Sequence, residues 1–106
     1  MSDKIPRKPR LKYPTSGRPH LIIDDQEYPI VDISETGAKF ITKKKFSLKP
    51  GKDLFLYLVF SPDTIFKANA RVIRKIGDMV VVRFYENLPL KQFEKEAKKL
   101  HVRKKN

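Results

Sequence analysis

Asp53-Leu-Phe-Leu-Tyr-Leu-Val-Phe-Ser-Pro-Asp-Thr64, continued by Ile65-Phe-Lys-Ala-Asn-Ala-Arg-Val-Ile-Arg-Lys75 and Gly77-Asp-Met-Val-Val-Val-Arg-Phe84, decides the fold. In the second run Phe66, Ala68, Ala70 and Val72 alternate with Ile65, Lys67, Asn69 and Arg71. That period of two gives a strand one core face. In the third, Val80, Val82 and Phe84 share a face. Asp53 to Phe60 is apolar at both parities, which predicts a strand covered on each side. Ser61-Pro-Asp-Thr64 and Gly77-Asp78 are turns between these runs.

Upstream, His20 to Ile23 and Glu27 to Ile33 read as a hairpin joined by a three-residue loop, Asp24-Asp25-Gln26. Ala38 to Thr42 is a third strand after the Glu35-Thr36-Gly37 turn, and Lys43 to Lys52 is a polar loop closed by Pro50-Gly51. Short strands punctuated at this rate predict an all-β sandwich or barrel. Downstream, Leu88-Pro89 precedes Leu90, Phe93, Ala97 and Leu100, whose spacing predicts one amphipathic helix opened by a proline. It should plug one barrel end or lie on its wall, with Val102 to Asn106 fraying. Four prolines and Gly17 within residues 1–19 predict an extended, mobile arm. The 106 residues fit one domain: an arm over 1–19, a barrel over 20–87, and a helix with a basic tail over 88–106.

The net charge of +12 is concentrated at the ends. Residues 1–19 carry six Lys/Arg against one Asp, and residues 91–106 carry seven Lys/Arg against two Glu, so each end is +5. The central 71 residues are only +2. Such ends are either solubilising tails or attractors of phosphate, on a nucleotide, a polynucleotide or an anionic membrane. There is no cysteine, hence no disulfide or thiolate. No apolar run resembles a signal peptide or a membrane span, and a cytoplasmic address is the expectation.

Catalysis finds little support. His20 and His101 lie at opposite ends, without metal-ligand spacing to another His or a Cys. Asp24, Asp25 and Asp63 sit in turns, where Asp is favoured for its backbone hydrogen bonds. Ser34 has no evident His partner, and no phosphate-loop or dinucleotide glycine signature occurs. The expectation is a binding protein rather than an enzyme, with no metal and no cofactor.

Asp32-Ile-Ser34-Glu-Thr-Gly37 offers more. On a regular strand Asp32 and Ser34 point together, away from Val31 and Ile33, and Gly37 permits a positive φ at the exit. One reading is structural, since Asp and Ser beside turns often cap local backbone groups. The other pairs this stretch with Arg7, Lys8 and Arg10, which precede Leu11-Lys-Tyr-Pro14. A guanidinium fork matches the O6/N7 edge of guanine or a phosphate. A carboxylate accepts from the guanine N1–H and N2–H₂ edge.

These residues resemble the PilZ domain, a bacterial receptor family for cyclic di-GMP. That family is marked by an RxxxR element and, downstream, a D/N-x-S-x-x-G element. Asp32-Ile-Ser34-Glu-Thr-Gly37 matches the second at every defined position. Arg10-Leu-Lys-Tyr-Pro, Arg18-Pro-His-Leu and Gly77-Asp-Met-Val-Val-Val-Arg-Phe84 resemble family sequence at the first and last barrel strands. Arg7 and Arg10 are separated by two residues rather than three, so Arg10 maps onto the second arginine and Arg7 substitutes for the first only by a shift of the arm.

The resemblance implies a six-stranded antiparallel barrel with a terminal helix. It implies cyclic di-GMP binding through Arg7, Lys8, Arg10, Asp32, Ser34 and Gly37, with the arm loose when empty and wrapped over a bound ligand. The remade surface would address a protein partner in motility, biofilm or secretion control. Two alternatives stand beside this: a PilZ-like adaptor that does not bind the nucleotide, and a barrel that binds RNA or DNA.

Overall fold

The computed structural model describes residues 10–14, 17–42 and 49–100, and the backbone of 101–105. Seven strands and one helix occur among them: β1 Leu11–Lys12, β2 His20–Ile23, β3 Gln26–Ile33, β4 Gly37–Ile41, β5 Asp53–Ser61, β6 Thr64–Ile76, β7 Met79–Phe84 and α1 Leu90–Lys105. The antiparallel order β3-β2-β5-β6-β7-β4 closes on itself through β3–β4, giving a six-stranded barrel. The short β1 continues the edge that β2 occupies on β3: His20 pairs with Pro29, whereas Leu11 pairs with Ile33 and Lys12 with Asp32.

Inward positions of every strand supply one core. Leu21, Ile30, Ile33, Phe40, Leu56, Leu58, Val72, Val80 and Val82 are essentially inaccessible. The alternation of β6 and β7 runs as expected, but β5 does not have two covered faces. Leu54, Leu56 and Leu58 point inward, whereas Phe55 is 50% exposed on the outer wall. A barrel of this size is filled by the inward side chains, and the alternating outward ones meet solvent unless something packs on them. Phe55 and Tyr57 contact each other there, edge to face, with centroids 5.2 Å apart.

The β2–β3 loop has two residues, not three. Asp24 and Asp25 both take positive φ, 50° and 66°, and Gln26 already pairs with Ile23. This is the turn whose twist matches a hairpin, and Asp tolerates it better than most side chains. The segment expected as a mobile arm holds β1, which is paired to the barrel. At the other end α1 runs through Lys105. Its first turn is closed by Gln92 and Phe93 backbone N–H groups donating to the Pro89 carbonyl. Leu90, expected on the packed stripe, is 54% exposed, while Gln92 and Glu96 are buried beside Phe93. The stripe is rotated because Glu96 meets a hydrogen-bond donor on the barrel side, the Tyr13 hydroxyl.

Gly37 does not take the positive φ expected of it; Gly17, Gly51 and Gly77 do. Its lack of a side chain serves close approach instead, because a Cβ would fall 2.3 Å from the Val82 carbonyl oxygen. Gly37→Ala should therefore destabilise the barrel by about 1–3 kcal/mol, as overpacking does. Gly77→Ala, strained at φ +58° but facing open space, should cost about 1 kcal/mol. Urea unfolding of both variants checks the ranking, and the reverse order would contradict it.

On the outer wall, Asp53 accepts from the Tyr85 hydroxyl at 2.5 Å and from Arg71 Nε at 3.0 Å. The Tyr85 bond, then Arg71, holds the Asp53 carboxyl below the usual aspartate range. A lowered folded value means that this contribution to stability is present above the unfolded aspartate range and lost as pH falls through the folded one. Tyr85→Phe should move the Asp53 titration upward in a carboxyl NMR titration. An unchanged midpoint would show that the hydroxyl does not set it.

Candidate functional site

One extra residue in β3 shapes the outer face near its end. Ile30 pairs with Phe40, and the next registered pairs are Asp32 with Lys39 and Ile33 with Ala38, so Val31 is unmatched. Had the alternation of Tyr28 and Ile30 continued, Asp32 would enter the core. The bulge shifts the phase, placing Ile33 inside with Ala38 and turning Asp32 outward beside Lys39. Re-aiming a side chain in this way is what bulges commonly do at functional rims.

Asp32 is nonetheless only 3% exposed, because Arg10 covers it. Arg10 Nε donates to Asp32 Oδ1 at 2.7 Å, Arg10 Nη2 lies on the same oxygen, and Lys39 Nζ is 3.6 Å from Oδ2. Arg10 Nη1 reaches Ser34 Oγ at 3.4 Å. One guanidinium thus spans both polar side chains of the motif. It is itself 37% exposed, as a group must be if it is also to meet something outside the protein.

Ser34 has a second set of partners. Its Oγ accepts from the backbone N–H groups of Thr36 at 3.3 Å and Gly37 at 3.2 Å, while Ser34 N–H donates to the Gly37 carbonyl at 2.8 Å. Neither Glu35 nor Thr36 takes a positive φ, so the hydroxyl holds the tight turn. The turn is also tied to the rest of the chain, with Phe84 N–H donating to the Thr36 carbonyl and Leu88 N–H to that of Glu35. The local capping role therefore belongs to Ser34. Asp32 caps no backbone group among the described residues; its carboxylate faces two cations.

Arg10, Asp32 and Ser34 are thus brought together, and Gly37 sits at the adjoining turn, packed against β7. Arg7 and Lys8 lie outside the described residues. Lys39 was missed, although counting across the turn places it: if Ser34 and Gly37 close a two-residue loop, position 32 opposes 39. The cluster has one carboxylate, two cations and a hydroxyl on an outer wall. It can accept from an amidine-like N–H edge and donate to phosphate or carbonyl oxygens at once.

Because the Ser34 hydroxyl is buried and serves as acceptor for two backbone donors, Ser34→Ala should cost about 1–3 kcal/mol. Denaturant unfolding measures this, and a change near zero would mean that water replaces the hydroxyl without loss.

The model of the PilZ domain family matches residues 5–100, nearly the whole chain. No curated protein matches. The crystal structure of an uncharacterized Legionella protein superposes with a TM-score of 0.61 at 26% identity, covering 92% of this chain and 98% of that one. PilZ domains are cyclic di-GMP-binding adaptor modules rather than enzymes, and Asp32, Ser34 and Gly37 match the defined positions of the D/N-x-S-x-x-G element. On the extent of that match, the chain belongs to the PilZ domain family.

Proposed function

We propose that this protein binds cyclic di-GMP on the outer barrel face at Arg10, Asp32, Ser34 and Lys39, with Arg7 and Lys8 contributing from the segment before Arg10, and that occupancy is read by a protein partner. The single observation that carries this is a carboxylate turned out of the core by a bulge and held under a partly exposed arginine. A purely structural Asp–Arg pair would not need a third group, yet Lys39 extends the cationic surface beside it.

In this reading Asp32 accepts from the N1–H and N2–H₂ edge of one guanine. Arg10 leaves the carboxylate for a phosphate or for the O6/N7 edge, where its planar fork makes a bidentate contact. Lys39 balances the second phosphate as a point charge. Gly37 keeps the turn close to the wall, so the backbone beside Ser34 stays low enough for a ligand to approach. The loosening and redocking of the Arg10 segment changes the surface offered to a partner, which we place in motility, biofilm or secretion control. The two-residue spacing of Arg7 and Arg10 favours the second reading, an adaptor that works through protein contacts without the nucleotide.

Isothermal titration separates them. The native protein should bind cyclic di-GMP near micromolar, about −8 kcal/mol. Arg10→Ala and Asp32→Ala should each weaken binding about 10- to 100-fold, the worth of one good bidentate contact. The affinity should depend weakly on salt, since only two phosphates are engaged, whereas binding to an oligonucleotide would fall steeply. No heat at tens of micromolar ligand, with the protein folded, would leave the adaptor reading.

A further inference from the structure

The Tyr13 hydroxyl donates to Glu96 Oε1 at 2.8 Å, a buried contact between residues 83 positions apart. Glu96 is 3% exposed and Tyr13 7%. The other carboxylate oxygen, Oε2, takes Gln92 Nε2 at 3.2 Å and Lys99 Nζ at 3.0 Å. A carboxylate in such a place is tolerated only with its oxygens paired. Part of that pairing comes from α1 and part from the segment that carries Arg10.

That segment is short. β1 contributes two registered pairs with β3, Leu11 with Ile33 and Lys12 with Asp32, plus the Tyr13 N–H donating to the Val31 carbonyl at 2.9 Å. Two residues of strand do not hold themselves in place. They are pinned at one end by Arg10 on Asp32 and Ser34, and at the other by Tyr13 on Glu96. The two pins are three positions apart, roughly 10 Å of extended chain.

We infer that Tyr13 and Glu96 are positioning residues for Arg10, so that docking of α1 and binding at the Arg10–Asp32 site are thermodynamically linked. This rests on the nucleotide reading for its ligand but not for its mechanics. If Glu96 holds Tyr13, Arg10 arrives at Asp32 already placed. A ligand that receives Arg10 replaces Asp32 as the outer pin, so an occupied site keeps the segment held at both ends and supports the Tyr13–Glu96 contact. Linkage is reciprocal, so what alters the helix alters affinity, and what occupies the site alters the helix. Helix α1 then becomes the element through which occupancy reaches a partner.

Hydrogen exchange on the full-length chain tests this without any ligand. Tyr13→Phe keeps the ring but removes the hydroxyl; it should speed exchange at the Tyr13 amide about tenfold, the effect of losing roughly one hydrogen bond. Asp32→Asn, altered at the far pin, should speed exchange in α1 between Gln92 and Leu100. Amides of β6 and β7 should stay at native rates in both, which excludes general destabilisation. Glu96→Gln, whose carbonyl still accepts from Tyr13, should stay near native in β1. In titrations with cyclic di-GMP, Tyr13→Phe should bind several-fold more weakly, and Glu96→Gln, which keeps the Tyr13 contact, should bind near native. Unchanged α1 exchange in Asp32→Asn, or unchanged β1 exchange in Tyr13→Phe, would overturn the linkage. Absence of heat with the native protein would overturn the nucleotide reading, leaving the exchange rates to decide the linkage by themselves.

Discussion

At Val31 the ladder between β3 and β4 takes in one residue too many, and the rest of the site depends on that slip. Strand side chains alternate with a period of two, so a single inserted residue exchanges the faces of everything beyond it. Before the bulge, Tyr28 and Ile30 face inward; after it, Ile33 does, opposite Ala38. Without the slip the core would receive a carboxylate and lose an isoleucine, a combination costing several kcal/mol. The bulge thus serves packing and exposure together. It fills the barrel with Ile33 and delivers Asp32 to the wall where Arg10 and Lys39 meet it.

Much of this was legible because barrels announce themselves through turns and alternation. The six strands of the ring were each expected within a residue or two of their positions, and Val72, Val80, Val82 and Phe84 were placed in the core by parity alone. Parity failed where something other than burial sets it. On β5 the apolar outer residues Phe55 and Tyr57 mimic a doubly covered strand, and one sequence does not reveal whether anything packs over them. At Val31 the bulge has no glycine to mark it, so Asp32 was aimed correctly for the wrong reason, by its distance from Ser34. Gly37 was assigned a backbone role through φ, the usual reason for a turn glycine. Its actual constraint is the Val82 carbonyl of a strand more than forty residues away, which no local pattern encodes.

The helix shows the same limit from the other side. Spacing selected Leu90, Phe93, Ala97 and Leu100, yet the buried stripe includes Gln92 and Glu96 and leaves Leu90 outside. Apolar spacing finds the stripe only when the partner surface is apolar. Here the partner is Tyr13, whose hydroxyl makes a glutamate acceptable in the interface. That residue lies in a segment dismissed as mobile on account of its prolines. Pro14 does end the pairing, but it leaves Leu11 to Tyr13 free to add to β3.

Electrostatics explains why such a site can be both tight and exchangeable. Unit charges 4 Å apart attract by about 4 kcal/mol at the effective dielectric of a protein surface, and desolvating a carboxylate costs an amount of the same order. A buried Asp32 therefore gains little net stability from Arg10, but would lose much if left with no partner at all. Arg10, more than a third exposed, loses little by changing one anion for another. A guanine edge that donates to Asp32 while phosphates receive Arg10 satisfies both groups in one exchange. A bare phosphate satisfies only the arginine and strands the carboxylate. On the proposed reading the pair would favour ligands carrying both a donor edge and an anion at a fixed distance, as a guanine nucleotide does, over phosphate or polyanion in general.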